Sequence, residues 1–220
     1  MAKITPAKPF LIMLYGLPGA GKTYFARQLS ERMQLAHLQA DRIRAELFEK
    51  PRYDRQENEV VMQLMNYMAG EFMAAGMSVV YDVNLMRASQ RRQVRDLARQ
   101  LRAQPVLVWF QVDAESAYQR NTKRDRRRLD DKFSAHLDRQ SFDSIASHMQ
   151  NPGPSEDYVV ISGKHLFGTQ FGAVATKLRQ MGLISLDDTG THQAKPELVN
   201  RVPNPAAGRV DMSRRNIIIR

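Results

Sequence analysis

Five short apolar runs punctuate the chain: FLIMLY (10–15), LAHLQA (35–40), MSVVYDV (77–83), PVLVWFQV (105–112) and DYVVIS (157–162). Each has the length of a strand, and helical spacing fills the segments between them. That alternation is the βαβ rhythm of a parallel sheet covered by helices on both faces. In TYFARQLSERM, Phe25, Leu29 and Met33 recur every four residues, and in NEVVMQLMNYMAGEFMAAG the residues Val61, Leu64, Met65, Met68 and Phe72 form one stripe. Both patterns predict helices packed on the sheet, with the methionines as core rather than as a binding surface. GAVATKLRQMG (172–182) predicts a last helix. The expected fold class is α/β: a three-layer α/β/α sandwich with a mainly parallel five-stranded sheet.

A polar stretch from about 120 to 150 separates the fourth and fifth runs. It is too long and too charged for a simple crossover, and it predicts a helical, basic lid that can move. The resulting division is an N-terminal tail (1–8), one domain (9–182) and a C-terminal extension (183–220). The extension is rich in proline and without a sustained period, so it is expected to be irregular or partly disordered. Its closing β-branched run, SRRNIIIR, offers a possible edge strand.

Composition adds bounds to this picture. A chain of 220 residues with 43% hydrophobic and 25% charged content suits a single globular domain. The net charge of +10 suits a polyanionic partner, but nucleotide phosphates recruit lysine and arginine as well. The absence of cysteine excludes disulfides and thiolate chemistry. The first apolar run is too short for a signal peptide or a membrane span, so a cytoplasmic protein with no membrane partner is expected.

GLPGAGKT, directly after the first run, fits the pattern GxxxxGK(S/T) at Gly16, Gly21, Lys22 and Thr23. A strand before it and a helix after it let successive backbone N–H groups and a helix N-terminus wrap a β-phosphate. Gly16, Leu17, Pro18, Gly19, Ala20, Gly21, Lys22, Thr23 and Tyr24 are therefore expected to bind ATP. Lys22 would neutralise the β- and γ-phosphates, and the Thr23 hydroxyl would ligate Mg2+.

The other segments discriminate among nucleotide-binding classes. The only DxxG, DDTG (187–190), lies in the tail, and NTKRD (121–125) is not the NKxD of a GTPase. The strand SVVYDV has Val83 after Asp82, where a motor ATPase carries the glutamate that polarises water. Asp41 in LAHLQADRIRAEL falls just past a strand end, placed to accept the proton of an incoming hydroxyl. Arg44, one helical turn on, would share its face and hold a substrate phosphate or the transferring group, although a helix N-cap with an exposed ion-pair partner explains the two equally simply.

The order GLPGAGKT, DRIR (41–44), VVYDVNLMRASQRR (79–92) and QRNTKRDRR (119–127) resembles the polynucleotide-kinase-like branch of the P-loop kinases over about residues 9–165. The resemblance implies Asp41 as general base, Arg44 as a ligand of the acceptor or of the phosphoryl oxygens, and Asp82 as a Mg2+ ligand. It puts Asn84 and Arg87 at the mouth of the same crevice. Val83 and Asn84 stand where Ala/Asp-Thr is commoner in that branch.

In the lid, Arg120 and Arg124 are spaced to face one way on a helix and are the candidates for stabilising the transferring group on closure. Arg126, Arg127 and Arg128 read as a solvated face. In RASQRRQVRDLARQLR, the stripe Val94, Leu97 and Leu101 turns most of the arginines outward, a face that nucleic acid could use. The histidines lack metal-ligand spacing and are assigned no chemistry. Gly163 and Lys164 fall where related kinases place a loop against adenine. The expected activity is an ATP-dependent kinase acting on a hydroxyl. Its acceptor is open between a 5′-hydroxyl end of RNA or DNA and a sugar or antibiotic, and the non-kinase alternative is a nucleotide-dependent ATPase module that binds nucleic acid.

Overall fold

Strand β1 (Phe10–Tyr15) is buried at every position, because it runs through the middle of a sheet covered on both faces. Its even residues Phe10, Ile12 and Leu14 join one core with Phe25 and Leu29 of α1 (Lys22–Arg32) and Phe171, Val174 and Leu178 of α7 (Phe167–Gln180). Its odd residues Leu11, Met13 and Tyr15 join a second core with Val61, Met65 and Met73 of α3 (Arg55–Ala74) and Val94 and Ala98 of α4 (Ala88–Gln100). The period of two along one strand thus builds the three layers. This is a computed structural model, and it describes residues 3–125, 127 and 131–185.

The other strands are β2 (Leu35–Gln39), β3 (Ser78–Asp82), β4 (Gln104–Gln111) and β5 (Tyr158–Ser162). They line up in the order β2-β3-β1-β4-β5. All pairings are parallel, with Gln39 opposite Asp82, Tyr15 opposite Trp109 and Gln111 opposite Ser162. The strand C-termini therefore share one edge, the side on which open α/β sheets bind ligands. Helices α2 (Ala40–Leu47), α5 (Ala114–Thr122) and α6 (Arg139–Ser147) complete the fold. Asp54, Asp113 and Asp138 cap α3, α5 and α6 by accepting from the backbone N–H groups of Glu57, Ser116 and Ser141.

The expected sandwich is present, with differences in detail. The buried line of α3 runs through Val61, Met65, Ala69 and Met73, so Leu64 sits at its margin. Helix α7 begins at Phe167, five residues before the expected segment, because Phe167 and Phe171 pack against each other with ring centroids 5.7 Å apart. The lid is helical in the last turn of α5, which ends at Thr122, and in α6, with no helix among the described residues between them. The N-terminal segment is pinned rather than free: Ile4 is buried and bridges to Met33. Residues 186–220 of the C-terminal extension, with its expected edge strand, and Arg126 and Arg128 lie outside the described residues, whereas Leu183 and Ile184 are buried in the core of Phe10 and Ile12. Among the described residues no helix is long and apolar enough to cross a membrane.

Arg91 of α4 is fully buried, contrary to its expected place in an outward basic face. Its Nε and Nη2 donate to both oxygens of Glu156 at 2.9 and 2.8 Å, and its Nη1 donates to the carbonyls of Leu85 and Met86 at 3.1 and 3.3 Å. Its guanidinium also lies over the ring of Tyr15, 4.9 Å from the centroid. Arg95 reaches the same carboxylate at 2.5 Å. Burial alone would raise the Glu156 pKa, but the arginines and the N–H of Gly153 hold it below the usual carboxylate range. The pair anchors the loop after β3. Glu156→Gln would leave a buried guanidinium without its counter-charge and should cost about 3 kcal/mol or more. The measurement is the urea midpoint at constant slope, which falls if the pair is needed and stays put if it is not.

Candidate functional site

The glycine-rich loop turns from β1 into α1 under close packing. Gly19 has φ +84°, and a Cβ there would lie 2.1 Å from the carbonyl oxygen of Ala117 in α5. A Cβ on Gly163, in the loop after β5, would lie 2.6 Å from the carbonyl oxygen of Ala20. Only glycine allows these approaches, so α5 and the β5–α7 loop hold the glycine-rich loop from two sides. Gly21 occupies the N-cap of α1 in a left-handed conformation. Lys22 turns its ammonium into the loop, donating to the carbonyls of Gly16 and Leu17 at 2.7 and 2.9 Å.

A cavity of about 1,040 Å3 opens beside this loop. It gathers Lys22 and Thr23 from α1, Asp41 and Arg44 from α2, Asp82 and Asn84 from the end of β3, and Arg120 and Arg124 from α5 and beyond. Pro18, Gly19, Gly21 and Tyr24 also line it. The predicted charged residues thus converge from four segments of chain, whereas Gly16 and Leu17 line a separate cavity and Ala20, fully buried, lines neither. Arg87 does not join them: it is exposed, lies outside the lining, and its backbone N–H donates to Gln90 at the start of α4.

The charges act on one another. Burial pushes the Lys22 pKa down to about 8, with Arg124 adding to the effect and Asp82 and Asp41 opposing it. Burial raises the Asp41 carboxyl, the Asp82 charge raises it further, and Arg124, Arg44 and Lys22 pull the other way. Asp41 lies in the first turn of α2, whose N-cap is Gln39, so it is not itself the cap.

Arg44 is buried rather than exposed. Its Nη1 donates to Glu57 at 3.1 Å and its Nη2 to Asn58 at 2.6 Å, and its guanidinium stacks over Tyr53, 4.7 Å from the ring centroid. Glu57 also accepts from the backbone N–H groups of Arg52 and Tyr53. Burial would raise the Glu57 pKa, but these N–H groups and the arginines hold it low. Tyr53 has φ +59°, an unusual conformation for a bulky residue, and it places that N–H against the carboxylate.

The two lid arginines reach the cavity by different routes. Arg120, in the last turn of α5, donates to the carbonyl of Gly163 at 2.7 Å. Arg124 lies past the end of the helix, so the expected shared helical face does not exist; its Nη1 donates to the carbonyl of Ala135 at 2.9 Å. Lys164 pairs with Asp113 at 2.6 Å at a second, smaller cavity below the loop.

Sequence reasoning passed over His37 and Gln39. His37 Nε2 lies 3.0 Å from Asp82 Oδ2, which orients the carboxylate expected to meet Mg2+. Gln39 pairs in register with Asp82 and faces the cavity. Neither has a local signal beyond its place two residues apart on a strand that ends at the site. Among the described residues no cluster of three acidic, histidine or cysteine side chains forms a metal cage. The oxygen donors Thr23 and Asp82 still fit Mg2+, which takes one or two protein oxygens and completes its shell with phosphate and water.

A family model described as an AAA domain matches residues 11–180. No curated protein matches the sequence. Among solved structures, a sugar kinase from Janibacter sp. aligns with TM-score 0.56 at 15% identity, over 80% of this chain and 95% of its own. A gluconokinase from Sinorhizobium meliloti gives TM-score 0.57 at 13% identity, over 79% and 93%. The Mycobacterium tuberculosis APS kinase, solved with AMPPNP and APS, gives TM-score 0.57 at 18% identity, over 79% and 99%. At these identities the likeness is one of fold.

The lowered Lys22 pKa makes a prediction that needs no ligand. The unfolded chain holds that proton to about pH 10.5 and the folded chain releases it near 8, so between these values the unfolded state binds more protons and stability rises with pH. Lys22 is only part-buried, which limits the gain to about 1–2 kcal/mol. Wild type should therefore gain by that amount on Lys22→Met between pH 8 and 10 in denaturant titrations. A pH-independent difference would mean that the ammonium is not desolvated.

Proposed function

The chain belongs to the AAA domain family, and on that premise we propose that it is an ATP-dependent kinase that transfers a γ-phosphoryl group to a hydroxyl. The observation that carries this is the convergence of Lys22, Asp41 and Asp82 on one cavity beside the glycine-rich loop. The loop N–H groups and the start of α1 would bind the triphosphate, with Lys22 exchanging its carbonyl partners for phosphate oxygens. Thr23 and Asp82 would hold Mg2+, which when bound neutralises phosphate charge. His37 would keep Asp82 oriented.

Asp41 would take the proton of the attacking hydroxyl. Burial raises its pKa, which makes its carboxylate a stronger proton acceptor. Arg120 and Arg124 would face the phosphoryl oxygens, where fixed positive charge lowers the barrier most. No acidic residue follows Asp82 on its strand to polarise water, which favours transfer over hydrolysis.

A small-molecule acceptor has more support than a 5′-hydroxyl polynucleotide end. Two arginines of the basic helix turn inward to Glu156 rather than forming a phosphate-binding face. Neighbours of the same fold include a gluconokinase and an APS kinase solved with a triphosphate analogue and APS together.

Asp41→Asn is expected to leave ATP affinity within about two-fold while lowering transfer by about 10²–10⁴-fold. Equilibrium binding and transfer from labelled ATP measure the two parts separately. Transfer at the wild-type rate would show that Asp41 is not the base.

A further inference from the structure

Four buried side-chain atoms lack a hydrogen-bond partner among the described residues, and three of them, Gln39 Nε2, Arg44 Nε and Asn84 Oδ1, belong to residues that line the main cavity. A buried polar atom left unpaired is costly, so three at one wall mark where a ligand supplies partners. Gln39 ends β2, Asn84 follows the end of β3, and Arg44 stands in the α2 helix that starts where β2 ends. Around them the cavity presents apolar side chains, Met62 from α3, Val83, Leu85 and Met86 from the loop after β3, and Leu137 and Ile145 from around α6, with Tyr53, Asn58 and Gln90 as polar neighbours. Arg91 fixes the Leu85–Met86 stretch through its two carbonyls, so the wall is held in shape.

The cation on this side is already paired. Arg44 is the only cation that α2, α3 and the β2 and β3 ends contribute to the described lining, and it is tied to buried Glu57. Its Nη atoms each donate to one of Glu57 and Asn58, and its Nε–H is without a partner among the described residues. The remaining cations, Lys22, Arg120, Lys123 and Arg124, come from the phosphate-loop helix and the lid and are needed against a triphosphate. A polynucleotide end or a sugar acid would find among these elements no cation that Glu57 does not already pair, and apart from the carboxylates of the transfer site the described lining offers a polyamine only Asp131, which lies 3.9 Å from Arg124.

We propose that the acceptor is an uncharged small molecule with a mainly apolar body. Gln39, the Nε of Arg44 and Asn84 hold its polar substituents, while its reactive hydroxyl lies beside Asp41. This rests on the kinase reading and gives it a substrate class. In the transfer, the acceptor oxygen forms a bond to the γ-phosphorus and the bond from that phosphorus to the β,γ-bridging oxygen breaks. ADP leaves with that electron pair, and the hydroxyl proton passes to the Asp41 carboxylate.

The test is transfer from labelled ATP to four acceptor sets: neutral aryl and acylamino diols, gluconate, a 5′-hydroxyl oligonucleotide and an aminoglycoside. The neutral diols should give the highest kcat/KM. Asn84→Ala and Gln39→Ala should each raise the KM for the diol about ten-fold, with the KM for ATP unchanged. A higher kcat/KM for any charged acceptor overturns the proposal and leaves the kinase reading standing. Acceptor KM values unmoved by both substitutions overturn the assignment of the wall. Absence of transfer in all four sets overturns the kinase reading, and the proposal with it.

Discussion

The backbone of Gly19 passes so close to α5 that even a methyl group there would collide with the carbonyl of Ala117, and much of the site's geometry depends on that approach. Gly163 repeats the arrangement from the other side against Ala20. Two chain segments far apart in sequence are thereby locked to one loop, and Lys22 is turned inward among its carbonyls. The strand ends then bring Asp82 and Gln39 to the same cavity through the register of a fully parallel sheet. The precision of the site comes from backbone contact, which cannot relax by rotating a side chain.

Burial then sets the electrostatics. Lys22 and Asp41 are both pushed towards their neutral forms, and each is partly restored by charges of the opposite sign nearby. Most of the cavity's cations come from the phosphate-loop helix and the lid, whereas Arg44 is neutralised by Glu57 and stands beside apolar side chains and the unpartnered amides of Gln39 and Asn84. A donor that is highly charged and an acceptor that is not would each meet its own surface.

Much of the fold was legible because its signals are local. FLIMLY is buried on both faces and reads as a central strand, and GLPGAGKT carries its chemistry in eight consecutive residues. What was not legible depends on distant partners. His37 meets Asp82 across 45 residues, and only the sheet register brings them together. Arg91 looked like one more surface arginine until Glu156, 65 residues away, drew it into the core. Arg124 has helical spacing from Arg120, but the helix ends at Thr122, and tertiary contacts bring the arginine to the cavity instead. Arg44 was recognised as part of the site, although its pairing with Glu57 depends on the backbone of the turn at Arg52 and Tyr53.

The central claim is that the γ-phosphoryl group goes to a hydroxyl compound and not to water. Phosphorus NMR of ATP and Mg2+ incubated with the protein and a small-molecule extract of cells follows that group directly. The account predicts a phosphomonoester signal growing in step with ADP, lost in Lys22→Ala. Inorganic phosphate as the only product besides ADP would contradict it.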